Sequence, residues 1–364
     1  MGCRKMTDFR LVREVEYKQA IDLADKVFRK AGHVSMGTAF PQVFSAALNQ
    51  SYGAFIDGKL VSFIGLVPSI LHIGRAEVKA FSIGAVCTDP DYRKRGLANT
   101  LLQMIFEHIN KSGASVLFVS GDLPIYLKQG CTHYGKMNQY KIHQGDLKVE
   151  SSSYVIREMG QFDWFQLRKL SHERHVKYEQ SIFELALLNE AAGFASIFKM
   201  KHKILVAKEN EELKAFLVFG VPYESQGKAD SRVIEWGGDP QAIPGLLAEA
   251  FTYDLNSLLF NVPAFEKDIL SQLGALPMEE LPFPGTMKIM DLDLLLSQLG
   301  PYFENKLTIS GAEGQKELHF KQGTVTLSAK QLEEWIVKGS EDPDSQLKDI
   351  FPIPFPFPQG LNYV

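Results

Sequence analysis

The sequence predicts a mixed α/β (α+β) protein: two similar units, each a mixed central sheet flanked by helices, and then a small C-terminal α+β domain. Three observations carry this. The chain has 364 residues, more than one ordinary core accommodates. Its apolar residues switch between strand-like runs and helical spacing. The same order of segments then begins again after a polar stretch near residue 150.

The elements of the first unit follow in order. "FRLVREVEYKQAIDLADKVFRKA" reads as a short strand and an amphipathic helix, with Ala20, Leu23, Val27 and Ala31 at helical spacing. "AALNQSYGAFIDGKLVSFIGLVP" reads as a hairpin turning at "DGK". "SILHIGRAEVKAFSIGAVC" supplies a further strand pair. "DPDYRKRGLANTLL" joins that strand to a helix beginning "LLQMIFEHI". A buried-type strand, Ser115 to Ser120, comes next. "PIYLKQGCTHYG" reads as a short helix ending at Gly130, and "KMNQYKIH" as the strand that closes the unit.

"QGDLKVESSS" is polar and breaks the pattern, as a linker does. The order then repeats: "YVIREMGQFDWFQLRKLSHERH" parallels the opening strand and helix, and "KILVAKENEELKAFLVFGVP" the hairpin. "RVIEWGGDPQAIPGLLAEAF" parallels the strand–joint–helix segment, and "NSLLFNVP" parallels "SVLFVSGDLP". The second copy has lost the basic joint, offering "PQAIPG" where the first has Arg93, Lys94 and Arg95. The expected domains are residues 8–145, a degenerate copy over 153–292, and a small domain over 293–364. In the last, "DLLLSQLGPYF" reads as helix, and the segment up to "QLEEWIVKG" as strands and then a helix. The end, "FPIPFPFPQGLNYV", alternates Phe and Pro, so it cannot be helix and is expected to run extended with its rings docked.

Composition narrows the function. The chain is 45% hydrophobic and 23% charged, with 39 basic and 43 acidic residues and a net charge of −4. That is ordinary for a globular protein and argues against a dedicated nucleic-acid binder. Three cysteines, Cys3, Cys87 and Cys131, lack metal spacing and fit a reducing cytoplasm. The nine histidines show no HxxxH or HExxH spacing, so no metal is expected. No signal peptide and no apolar run of membrane-spanning length is visible. "MGCRKM" places Gly2 as in an acylation signal, but Met6 stands where Ser or Thr belongs.

The joint holds the chemistry. A helix N-terminus presents unpaired N–H groups and partial positive charge. Gly96 allows close approach of a ligand to the backbone, and Ala98 keeps the next turn thin. Arg93, Lys94 and Arg95 add cations, so the joint suits a phosphate or pyrophosphate. Neither GxxxxGK[ST] nor GxGxxG is present. Arg93-Lys94-Arg95-Gly96-Leu97-Ala98 resembles the [QR]-x-x-G-x-[GA] signature of the GCN5-related N-acetyltransferase (GNAT) superfamily. "IYLKQG" resembles that family's "FYxxxGF". The resemblance implies tandem GNAT folds, the second in degenerate form to about residue 292. Two such units and a small third domain resemble the Eis-like (enhanced intracellular survival) branch, whose third domain is sterol-carrier-like.

The resemblance implies acetyl-CoA as cofactor. Val86, Cys87 and Thr88 would offer backbone groups to the pantetheine, and Arg93, Lys94, Arg95, Gly96, Leu97 and Ala98 would cradle the pyrophosphate. Asn99 and Thr100 open the helix and could add polar contacts. Tyr126 matches the tyrosine whose phenol protonates the departing CoA thiolate. Ser120 could bond near the thioester or the adenylyl arm. Cys131 departs from the pattern, standing where the family often has Phe. The C-terminal carboxylate of Val364 is the expected base, as in tandem-fold relatives. Cys87 as a nucleophile is the alternative route, with His72 the nearest histidine upstream.

These readings lead to a cytoplasmic acetyl-CoA-dependent N-acetyltransferase passing acetyl directly to a primary amine. Its partner is a small-molecule or peptide amine, with no nucleic acid and no membrane; a homo-oligomer stays open. Two rivals remain at this point: a CoA-binding sensor or scaffold without turnover, and a transferase of another acyl group.

Overall fold

The computed structural model describes residues 6–147, 153–223, 228–311, 314–340 and 345–364. The Gly2 acylation reading and part of the expected linker fall outside these. In the first unit, β1 (Thr7–Leu11) leads into α1 (Tyr17–Phe28) and the short α2 (Met36–Ala39). Next come β2 (Tyr52–Ile56), β3 (Lys59–Ile73) and β4 (Ala76–Thr88), an antiparallel series. The two segments "KLVSFIGLVP" and "SILHI" form one 15-residue strand that carries Pro68 within it. Then follow α3 (Leu97–Ser112), β5 (Val116–Val119), α4 (Pro124–Leu127) and β6 (Thr132–His133). Leu97, Leu101, Ile105 and Ile109 recur every four residues on α3, and this stripe packs on Ile64, Leu66, Ile83 and Leu117 of the sheet. Phe63, adjacent to Ile64, points to the opposite face and packs with Tyr17, Ala20 and Leu23 of α1.

The strand β7 (Lys136–Ile142) is present, but it does not close the first sheet. The second unit adds β8 (Val155–Glu158), α5 (Trp164–Glu173), β9 (Val176–Tyr178), α6 (Ile182–Ala191) and α7 (Gly193–Ser196). It continues with β10 (Met200–Glu209), β11 (Glu212–Pro222), β12 (Ala229–Gly238), α8 (Ile243–Glu249), β13 (Leu255–Pro263), α9 (Lys267–Gln272), β14 (Glu279–Pro282) and β15 (Thr286–Ile289). β7 pairs with β13 in this second sheet, while β15 pairs with β5 and β6 in the first. The units therefore exchange their closing strands. The alternating pattern of "KMNQYKIH" suits either sheet, so pattern alone cannot choose the partner. Met137 enters the core beneath the first sheet, whereas Tyr140 and Ile142 enter that of the second.

The C-terminal region comprises α10 (Leu292–Gln298), α11 (Gly300–Phe303), a meander of β16 (Thr308–Ser310), β17 (Gln315–Phe320) and β18 (Gly323–Ser328), then α12 (Ala329–Lys338) and α13 (Ser345–Ile350). Leu332, Trp335 and Ile336 of α12 share a core with Leu71, Val78 and Phe118 of the first sheet. The Phe/Pro tail is extended and docked. Phe351 packs on Trp335, Phe355 on Phe118 and Tyr134, and Phe357 on Phe283. Among the described residues no helix is long and apolar enough to cross a membrane. No His, Cys, Asp or Glu group there could hold a metal.

Candidate active site

The first sheet opens at one place. β4 and β5 run parallel from Ala80↔Val116 to Ile83↔Val119, and there their pairing ends. Just beyond, the β3–β4 register shifts: Gly65 faces Gly84, but Phe63 faces Cys87, so β4 holds an extra residue. Ala85 takes up the bulge with φ of 51°. The bulge turns β4 away from β5 and leaves a wedge, with backbone groups of residues 85–88 free of a strand on that side. Val86 and Thr88 are half-buried along it, and the Cys87 side chain is buried.

The joint follows the wedge. Asp89 is the residue that shapes it, and the sequence reading passed over it. Its buried carboxylate accepts from Lys26 (3.2 Å), Lys59 (3.0 Å) and the Asp91 N–H (3.2 Å). Burial opposes the charge on Asp89, but these donors outweigh it and hold the carboxyl below its ordinary range. Arg93 Nε donates to the Thr88 carbonyl at 3.3 Å, and Arg95 lies over the Tyr92 ring at 4.8 Å. Lys94 and Gly96 both have left-handed backbone, φ 62° and 77°. A Cβ on Gly96 would have nothing within 4 Å. Gly96 caps α3, whose first residue Leu97 is buried, with Ala98 half-buried and Asn99 and Thr100 exposed. The result is a bare backbone turn, ringed by Arg93, Lys94 and Arg95, at the mouth of a 16-residue helix. At the matching place in the second unit α8 carries Pro244 in its first turn, which removes an N–H donor.

Tyr126 stands on α4, started by Pro124, and is 6% exposed. Burial, with the nearby Cys131 and Cys87 thiols, raises its phenol above the ordinary value, so it stays protonated at neutral pH. Burial also pushes the Cys87 thiol up to about 12, which leaves little thiolate. His72 is no partner for it. His72 pairs with Glu77 in the hairpin, nine positions along β3 from the Phe63↔Cys87 pair, and so lies roughly 30 Å away.

The chain's end closes the wedge. Ser120 Oγ donates to the Val364 O at 2.8 Å, so this hydroxyl serves the terminus rather than reaching into open space. A Cβ on Gly84 would lie 2.8 Å from the Val364 carboxyl carbon, so the terminus rests directly on the bulge. The preceding residues are held by the other unit. Tyr363 packs between Phe194 (4.9 Å) and Phe40 (6.0 Å). Asn362 accepts from Gln180 at 2.5 Å, and Leu361 is buried in the second core. The Leu361 N–H faces the Glu235 carboxylate, itself paired with Arg174, which also donates to Glu266 at 2.9 Å. Glu235 sits at the β11–β12 register shift, the counterpart of the β4 bulge. These anchors are far apart in sequence and carry no motif.

A wedge in a parallel pair, a cationic backbone turn and a neutral phenol make up the candidate site. Residues 8–134 match the family model described as an acetyltransferase (GNAT) domain. No curated protein matches it by sequence. Its fold is similar to a probable N-acyltransferase from Enterococcus faecalis V583, at 15% identity and a TM-score of 0.67, over 89% of this chain and 85% of that one. It is similar to Eis1 from Mycobacterium abscessus at 12% identity and a TM-score of 0.65, over 99% and 100% of the two chains. Saccharomyces cerevisiae N-myristoyltransferase, solved with myristoyl-CoA, aligns over 79% of this chain and 80% of that one, at 10% identity and a TM-score of 0.51. The fold shared with these structures is one of mixed sheets flanked by helices.

Proposed function

We propose that this protein transfers acetyl from acetyl-CoA directly to a primary amine, using its own C-terminal carboxylate as base. The single observation that carries this reading is the seat of Val364 on Gly84 beside Ser120, at the place where the β4–β5 wedge opens. Arg93 to Ala98 cradle the pyrophosphate, with Asn99 at the edge of the turn, and the backbone of Val86, Cys87 and Thr88 follows the pantetheine. The thioester then lies at the wedge, between Tyr126 and Val364. Neutralising an alkylammonium at neutral pH costs roughly 4–5 kcal/mol. The Val364 carboxylate holds the ammonium and takes its proton, directly or through water. The carboxylic acid so formed passes that proton to solvent; the amine nitrogen attacks the thioester carbon, and the tetrahedral intermediate then loses its second nitrogen proton to the regenerated carboxylate. It collapses by breaking the C–S bond, and the CoA sulfur takes a proton from Tyr126.

A short acyl group suits the wedge. A Cβ on Gly65 would lie 2.2 Å from Val43 Cγ1, and Phe44 stacks on Phe63 at 5.4 Å, so this end is already filled by side chains. That favours acetyl over long chains. The test is thiol release from acetyl-CoA with a panel of amines, for the intact chain and for one lacking Val364. Removing Val364 is expected to leave CoA affinity unchanged and to lower turnover by ~10²–10⁴. Full activity without Val364, or with residues added after it, would defeat the assignment of the base. Binding of CoA with no turnover of any amine would favour a sensor.

A further inference from the structure

The seat of Val364 forms one end of a cleft between the two units, about 530 Å³ in volume. Its walls come from the segment after α2, from β3 and β4, and from α6 across the gap. Those walls are mainly apolar: Leu48, Val67, Ile70, Phe81, Tyr178 and Leu187. Leu48 and Ile70 are 39% and 38% exposed, large aliphatic side chains left facing solvent inside a concave surface. The charged groups lining it, among the described residues, are Glu179, Glu184 and Lys79 besides the terminal carboxylate, and the two glutamates lie toward its exposed rim. Glu179 accepts from His72 at 3.0 Å. Glu184 accepts from the Ser181 N–H at 2.7 Å in the capping box of α6. Lys79 adds a positive charge to the same wall. The terminal carboxylate is thus the acid placed to meet an ammonium.

A polycation needs carboxylates spaced along its length and no lysine among them; here Lys79 stands in a wall that is mostly apolar, so an ammonium beyond the first is desolvated against aliphatic and aromatic side chains. A single amine on an apolar body needs one carboxylate and a hydrophobic wall, which is what the cleft presents. We infer that the acceptor is an amphipathic primary amine, one ammonium on a ring-sized or longer apolar body, and not a polyamine or other polycation. This rests on the acetyl-transfer reading above. It goes beyond it by assigning Leu48 and Ile70 as specificity residues for the acceptor body.

The experiment compares 2-phenylethylamine, ethylamine and spermidine with acetyl-CoA by thiol release, in the wild type and in Leu48→Asp and Ile70→Asp. In the wild type, kcat/KM for 2-phenylethylamine is expected to exceed both others by at least about tenfold. Each aspartate is expected to raise KM for 2-phenylethylamine, to improve spermidine and to leave CoA affinity unchanged. Spermidine preferred by the wild type, or an order untouched by both substitutions, would overturn the inference. If no amine is turned over, calorimetry of the same amines on the CoA-saturated protein decides. Binding of 2-phenylethylamine without turnover supports the inference and sinks the transfer reading. Binding of spermidine alone, or of neither amine, overturns the inference.

Discussion

Gly84 tests the terminal carboxylate without touching it. Its backbone lies in ordinary strand geometry, so alanine can adopt it. The added methyl would stand 2.8 Å from the Val364 carboxyl carbon, 3.0 Å from Val364 Cβ and 3.2 Å from Val43 Cγ2. Ordinary contact begins near 3.4 Å, so the terminus must retreat by about 0.6 Å in a core that cannot absorb a methyl without movement. A 1 Å misplacement of a catalytic group costs on the order of 10²-fold; in proportion, Gly84→Ala is expected to lower kcat roughly 15-fold. Overpacking should cost only about 1 kcal/mol of stability, near the low end for cores, because a chain end yields more readily than a strand. The assay is steady-state thiol release at saturating acetyl-CoA, with CoA affinity by calorimetry and stability by urea unfolding. CoA affinity is expected to be unchanged, since the cradle lies at the far end of the β4 edge. A kcat within about twofold of the wild type, with the chemical step shown to limit the rate, would refute the role given to Val364.

Other outcomes follow from the same site. Tyr126→Phe should keep CoA affinity and lower turnover by up to ~10²–10⁴, checked by calorimetry and single-turnover kinetics. The chain should bind one CoA, because the second unit has Pro244 at its joint; a calorimetric stoichiometry near two would contradict this. Gly96→Val should weaken CoA by at least about tenfold, since a β-branched residue resists the left-handed backbone even where space is open. Stability should also depend on alkaline pH. Burial raises Cys87 from 9.0 to about 12 and Cys131 from 9.0 to about 11. Their folded values exceed the unfolded ones, so this contribution is whole below pH 9 and is lost as pH rises through 9–12. Each thiol should cost about 1.4 kcal/mol per pH unit from pH 9 up to its own folded value, about 11 for Cys131 and about 12 for Cys87, read by urea unfolding at a pH series. Replacing both cysteines by alanine should reduce the slope most between pH 9 and 10, below the ordinary range of the buried tyrosines, whose phenols burial also raises.

What the residues alone determined is local. The helical spacing of Ala20 and Leu23, the "DGK" turn, the proline that starts α4 and the Phe/Pro tail each state their own conformation within a few neighbours. The basic turn was legible for the same reason: Arg93 to Ala98 are consecutive, and a left-handed glycine before a helix is written in neighbouring residues. The repeat was legible because two copies of one order of segments sit in one chain. What only the tertiary structure decided is pairing across distance. β7 and β15 could satisfy either sheet by their own alternation, and their exchange is set by which partner edge lies open. Asp89 carries no signal among its neighbours in sequence; Lys26 and Lys59 converge on it only in the fold. The bulge at Ala85 arises from β4 carrying one residue more than β3 opposite it, which no single strand reveals. The seat of Val364 depends on Ser120, Gly84, Gln180 and Phe194, brought together from both units. Side-chain identity dictates what a few neighbouring residues prefer, while the place where a chain end comes to rest is fixed by packing among segments far apart in sequence.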